Sequence, residues 1–134
     1  NPPPAGLAYL TMLTNLNELD LFGAKVTEAG TGFIAQLTNL TSLEACGGGI
    51  TDAAMRPLRT LTNLTWLNIS QNEMVTNGSV PVLATMTLLT NLNLAGTGIN
   101  DEGAQHLTRL SGLTSLCISG CNVSSATLSV LQAM

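Results

Sequence analysis

The sequence predicts an α/β solenoid assembled from five copies of one strand–turn–helix unit, and three observations carry that prediction. The phrase LTNLTSL at 37–43 recurs with small changes as LTNLNEL at 13–19, LTNLTWL at 61–67, LTNLNL at 89–94 and LSGLTSL at 110–116. Aligned on Leu16, Leu40, Leu64, Leu89 and Leu113, the copies are spaced by 24, 24, 25 and 24 residues. A fixed period in this range marks stacked units rather than a closed globule. Each copy also keeps apolar residues at its first, fourth and sixth positions: Leu16/Leu19/Leu21, Leu40/Leu43/Ala45, Leu64/Leu67/Ile69, Leu89/Leu92/Leu94 and Leu113/Leu116/Ile118.

Alternation at the fourth and sixth positions is the period-two pattern of a strand with one buried face. Position eight is Gly23, Gly47, Gly96 and Gly120, with Gln71 the exception, and glycine there lets the backbone turn sharply out of the strand. Position eleven is apolar again, as Val26, Ile50, Met74, Ile99 and Val123. A polar helix start follows in TEAG at 27–30, TDAA at 51–54, NDEG at 100–103 and SSAT at 124–127. Side-chain oxygens at that point cap orphan N–H groups, and the carboxylates Glu28, Asp52, Asp101 and Glu102 suit the helix dipole. Apolar residues then return every third position, in Met55/Leu58/Leu61 and Ala104/Leu107/Leu110, which keeps one helical face inward. Asn15, Asn39, Asn63 and Gly112 stand where a left-handed residue is expected to end each helix, a place for which Leu88 is poorly suited. The extra residue of the third unit is expected near VTNGSV at 75–80. No unit buries its own leucines; stacked units share them.

Composition narrows the function. Hydrophobic residues make up 45% of the 134-residue chain and aromatic ones only 3%, so leucine fills the core. The net charge of −4, with only four basic residues, disfavours nucleic-acid and anionic-membrane partners. No run of 18 apolar residues offers a membrane span, and no signal peptide is evident. Three cysteines without metal-ligand spacing favour free thiols and an intracellular, reducing compartment. The N-x-S/T triplets at Asn39, Asn63, Asn68, Asn77 and Asn122 argue the other way, weakly, in a chain so rich in Asn, Thr and Ser.

The pattern L-x-x-L-x-L-x-x-(N/T/C)-x-(I/V)-T-D-x-G resembles a leucine-rich repeat. The 24-residue length and INDEGAQHL at 99–107 resemble the GALA and cysteine-containing subclasses of the ribonuclease-inhibitor-like group. The resemblance implies a right-handed, curved solenoid with a parallel sheet on its concave face and helices on its convex face. It further implies a single domain over 1–134: a helical half-unit at 5–15 and then five repeats, expected to be a section of a longer array. The implied function is non-enzymatic protein binding through the concave face, without a cofactor. The alternatives are the recognition part of a larger assembly, such as an F-box-type ubiquitin ligase receptor or an effector, and a self-associating structural array. Position nine reads Ala24, Gly48, Asn72, Thr97 and Cys121, so looser turns are expected in the first two units. The last strand, LTSLCIS at 113–119, has no charge to discourage edge pairing, and self-association there is a second expectation.

On the concave face, column three reads Glu18, Ser42, Trp66, Asn91, Ser115, column five Asp20, Glu44, Asn68, Asn93, Cys117, and column seven Phe22, Cys46, Ser70, Ala95, Ser119. Aromatic residues flanked by charges make binding hot spots. Glu18, Asp20, Phe22, Glu44, Trp66 and Asn68 are therefore the candidate partner-binding residues, facing a protein segment that carries Lys or Arg. The competing reading is that the acids solubilise the sheet and guard its edge. Arg56, Arg59 and Arg109 map to the helical side, as does His106, the only histidine, away from Cys46 and Cys117; no catalytic pair is expected.

Overall fold

The computed structural model describes residues 15–132; apart from Asn15, the half-unit expected at 5–15 lies outside them. Strands β1 (Glu18–Asp20), β2 (Ser42–Glu44), β3 (Trp66–Asn68), β4 (Asn91–Asn93) and β5 (Ser115–Cys117) form one parallel sheet in chain order. Their register puts Leu19, Leu43, Leu67, Leu92 and Leu116 on one row, as the aligned copies require. The opposite side carries α1 (Glu28–Ile34), α2 (Asp52–Met55), α3 (Val80–Leu83), α4 (Asp101–Gln105) and α5 (Ser125–Gln132).

Between the layers lies one leucine core. Leu40, Leu64 and Leu89 are fully buried, and Leu43, Leu67 and Leu92 nearly so. Each contributes about 1.5–3 kcal/mol over an exposed side chain. From the helical side come Leu37, Leu61 and Leu110, with Met86 filling the same place in the fourth corner. Leu113, Leu116 and Ile118, at the β5 end of the described sheet, are only partly covered.

The threonine of the repeated phrase has its own role. Thr41, Thr65, Thr90 and Thr114 each donate Oγ1 to the main-chain carbonyl one unit back: Asn17, Thr41, Thr65 and Thr90, at 3.1–3.3 Å. These hydroxyls run as a ladder beside the sheet and fix the corner register.

Several expectations are corrected. Position eleven of the third unit is Val75, fully buried, while Met74 is 64% exposed; the extra residue lies between Asn72 and Val75, not at 75–80. From Val75 onward the third unit is back in step. The left-handed backbone sits at position eight, at Gly23, Gly47, Gln71, Gly96 and Gly120, and once more at Gly49; Asn39, Asn63, Leu88 and Gly112 do not adopt it. Leu88 therefore carries no backbone strain. The apolar triplets spaced by three do not continue as α-helix. Arg56–Thr60 and His106–Arg109 are 3₁₀ turns, whose three-residue period keeps such triplets on one line. The strands are three residues long, about 10 Å each, half the length a solvent-facing run of seven positions suggests.

The first two turns are not loose. Ala24 N–H donates to the Leu21 carbonyl and Val26 N–H to that of Gly48, both at 2.8 Å. Gly48 makes this possible: a Cβ there would stand 2.9 Å from the Ala24 carbonyl oxygen. In the third turn the buried Asn72 does the same work by side chain. Its Oδ1 accepts from Ile50 N–H at 2.9 Å, and its Nδ2 donates to the carbonyls of Ala45, Ile69 and Ser70.

Candidate functional site

The sheet face is built by the odd-numbered strand positions. Glu18 and Trp66 are exposed, Asp20 is exposed, and Glu44 and Asn68 are half-buried. Trp66 is 38% exposed and Phe22 72%, so the indole has one flank seated while the phenyl ring stands in solvent. Beside Trp66 a trough of about 160 Å³ runs over Asn91, Asn93, Ser115 and Cys117.

Column five has a structural task that the sequence reading missed. Its side chains accept a hydrogen bond from the main-chain N–H two residues on, where the strand ends. Asp20 Oδ1 accepts from Phe22, Glu44 Oε1 from Cys46, Asn68 Oδ1 from Ser70 and Asn93 Oδ1 from Ala95. A short acceptor at this position in four units is the signal that could have found it. In the fifth unit the Cys117 thiol meets the Ser119 hydroxyl at 3.4 Å; the Ser119 hydroxyl and then its main-chain N–H hold the thiol below its ordinary pKa.

Two of the candidate residues are committed to each other. Asn68 Nδ2 donates to both oxygens of Glu44, at 3.0 and 3.1 Å, as register neighbours on β2 and β3. That leaves Glu18 as the carboxylate of this face that no hydrogen bond engages among the described residues. The candidate set therefore divides: Glu18, Phe22 and Trp66 present free surface, whereas Asp20, Glu44 and Asn68 hold the sheet's own backbone or one another.

The helix-start carboxylates reach across units. Asp52 accepts from Thr76 N–H at 2.8 Å, and from the Thr76 and Ser79 hydroxyls. Asp101 accepts from Ser124 N–H at 2.7 Å, and Asn77 Oδ1 from Asn100 N–H at 3.1 Å. Each side chain thus completes the helix cap of the following unit. Burial pushes the Asp52 pKa up, but the Ser79 and Thr76 bonds, with the Arg56 charge, outweigh it and hold the carboxyl below the usual range. Ser124 N–H, then the Thr127 hydroxyl, lowers that of Asp101.

His106 is exposed on the helical face, beside Glu102 and Arg109 at a hollow of about 280 Å³. Cys46 accepts from the Ser70 hydroxyl on the sheet side, and Cys121 donates to the Leu94 carbonyl at 3.0 Å. All three thiols are free. Among the described residues no cluster of His, Cys, Asp or Glu is arranged to hold a metal, and no helix is long and apolar enough to cross a membrane.

No protein-family model matches the chain, and no curated protein matches it in sequence. Solved structures do. An internalin, InlF of Listeria monocytogenes, is 26% identical with a TM-score of 0.76, over 95% of this chain and 36% of that protein. The leucine-rich-repeat ectodomain of the Arabidopsis receptor kinase HAESA, solved with an extended IDA peptide hormone, is 19% identical with a TM-score of 0.59, over 87% of this chain and 19% of that one. TLR13, solved with ssRNA13, is 19% identical with a TM-score of 0.63, over 98% of this chain and 19% of that one. The chain spans little more than a third of the internalin's length and about a fifth of the other two. In strand order, register and leucine core, this chain has the leucine-rich-repeat fold.

Proposed function

We propose that the chain is a non-enzymatic recognition module that holds a segment of a partner protein on its concave sheet. The observation that carries this reading is Trp66, the one tryptophan of the chain. It stands half-seated at the edge of a trough on a face whose other large side chains are acidic or uncharged. A seated aromatic beside a hollow is the usual anchor of an interface. Glu18 and Phe22 lie along the same sheet and suit a Lys or Arg of the partner. Acids on this face, with Arg56, Arg59 and Arg109 on the other, give the module two electrostatic sides; this supports a protein rather than a nucleic-acid partner.

The three-residue strands make the flat part of the sheet only about 240 Å², against about 800 Å² per partner in a stable interface. The five units therefore act as a section of a longer array of GALA-like repeats, as the partly covered leucines of the fifth unit also favour. The same observation supports a second reading, association of two copies end to end: a groove of about 330 Å³ opens at β5, lined by Leu113, Leu116, Ile118, Leu128 and Leu131.

Affinity capture tests the first reading. The bait is compared with a Glu18→Ala/Trp66→Ala variant and an Arg56→Ala/Arg59→Ala variant, each with an unchanged melting temperature. Partners lost from the sheet variant alone support concave binding. Partners lost only from the arginine variant place the site on the helical side and refute it.

A further inference from the structure

The donors on the sheet face are not evenly distributed. Glu18 and Asp20 on β1 are acceptors only, Asn68 on β3 spends its amide on Glu44, and β5 presents Ser115 and Cys117. Strand β4 alone carries two amides in the outward positions, Asn91 and Asn93. Their oxygens are turned inward: Asn93 Oδ1 accepts from Ala95 N–H at 3.0 Å, and Asn91 Oδ1 stands 3.0 Å from the Thr90 hydroxyl, whose one proton it shares with the Thr65 carbonyl. Those bonds turn the two NH₂ groups away from the backbone, and among the described residues no acceptor meets them. Both line the trough, with Trp66 as one wall and the small side chains of β5 on the other side.

We infer that this trough takes the main chain of an extended peptide segment lying along β4, its carbonyls accepting from Asn91 and Asn93 while one residue packs on Trp66. Spacing is the first argument. Asn91 and Asn93 are two residues apart on one strand, so their side chains rise about 6.6 Å apart. Same-facing carbonyls of an extended segment repeat at that interval. Charge is the second. Glu18, Asp20 and Glu44 share this face with no Lys or Arg, so anionic acceptors are repelled and neutral carbonyls are left. The inference rests on the concave-face reading above and names the chemistry it recognises: acceptors of the backbone, whatever the side chains, with specificity delegated to the residue at Trp66 and to a basic residue toward Glu18.

The test uses random dodecapeptides displayed on phage and selected on the folded chain. Selected sequences are synthesised with capped ends, labelled, and titrated by fluorescence anisotropy. Asn91→Asp and Asn93→Asp keep the oxygen that the structure uses, as Asp20 does on β1, but replace the N–H donors with a second acceptor and add one negative charge. Each is expected to weaken binding about tenfold. Ser42→Asp, which adds charge to the same face on β2 and leaves both β4 amides in place, is expected to change it less than threefold. In the ¹⁵N-labelled wild type, the side-chain amide resonances of Asn91 and Asn93 are expected to shift on peptide addition, a readout that needs no variant. Peptides that lose affinity with Trp66→Ala but ignore both Asp substitutions and leave the amides unshifted would overturn the inference and leave the concave-face reading standing. Peptides indifferent to Trp66→Ala as well, or none selected above background, would overturn both.

Discussion

Asp52 and Asp101 look, one residue at a time, like any acid near a helix start, yet each is the cap of a neighbour. Their hydrogen bonds hold their folded pKa values below the ordinary carboxylate range. A carboxylate held low in the folded state stabilises fully above its unfolded pKa, and loses that contribution as pH falls through the folded value. Asp52→Asn is therefore expected to lower stability by about 1 kcal/mol near pH 7. The gap from wild type should close as pH falls through and below the usual carboxylate range, which urea titrations at successively lower pH would read. The residue scale is also where the sequence was hardest to read. Glu44 and Asn68 resemble free binding groups because nothing local shows their partner; only their shared column, one period apart, reveals that they face each other. Trp66 needed no such partner, and its exposure was legible from its place in column three.

At the scale of the element, the decisive geometry is how closely one helix start sits on the next. A Cβ on Gly103 would stand 2.1 Å from Asn77 Oδ1, and Asn77 is tied at both ends of its amide to Asn100. Gly103→Ala is expected to cost about 1–3 kcal/mol in wild type. In an Asn77→Ala background, where the obstacle is gone, the same change is expected to be neutral or stabilising by up to about 1 kcal/mol; a double-mutant cycle by urea unfolding gives the sign. The extra residue of the third unit makes a second case. Deleting Met74 joins Glu73 to Val75 as Gly98 joins Ile99. The melting temperature is then expected to stay within a few degrees, since the lost side chain is exposed. Counting the period exposed this insertion, but length alone could not say which of two adjacent apolar residues turns inward. The alternating strand leucines and the caps were legible because their spacing is dictated by backbone geometry. The 3₁₀ turns were written in the same triplets, whose interval of three fits a tighter helix than the one expected.

For the molecule as a whole, the two ends of the sheet differ. The β1 edge carries Glu18 and Asp20, and charge on an edge strand discourages further pairing. The β5 edge is uncharged and stands over the open leucine groove. Sedimentation velocity from about 10 to 500 μM is expected to show growing association, suppressed in a Ser115→Lys/Leu116→Lys variant. A sedimentation coefficient that stays constant over that range would show that the end remains solvated without a partner copy. The solenoid and its five-unit register were readable from the repeat alone. What covers the groove was not, because an interface is a property of two surfaces and the chain supplies one.

The direction of the inter-unit bonds has a consequence for how such a chain is made. A ribosome releases the second unit before the third, so Asp52 and the Thr41 carbonyl already wait when Thr76, Ser79 and Thr65 emerge. Along the corner and the helix starts, each arriving unit finds its acceptors in place and docks on a finished surface. The turn runs the other way: Ile50 N–H stays without its partner until Asn72 appears. A nascent chain halted after the second unit would therefore be complete at the corner and open along the strand end and turn, where the N–H groups of Ala45, Gly47 and Ile50 wait for Asn68, Ser70 and Asn72 of the third unit.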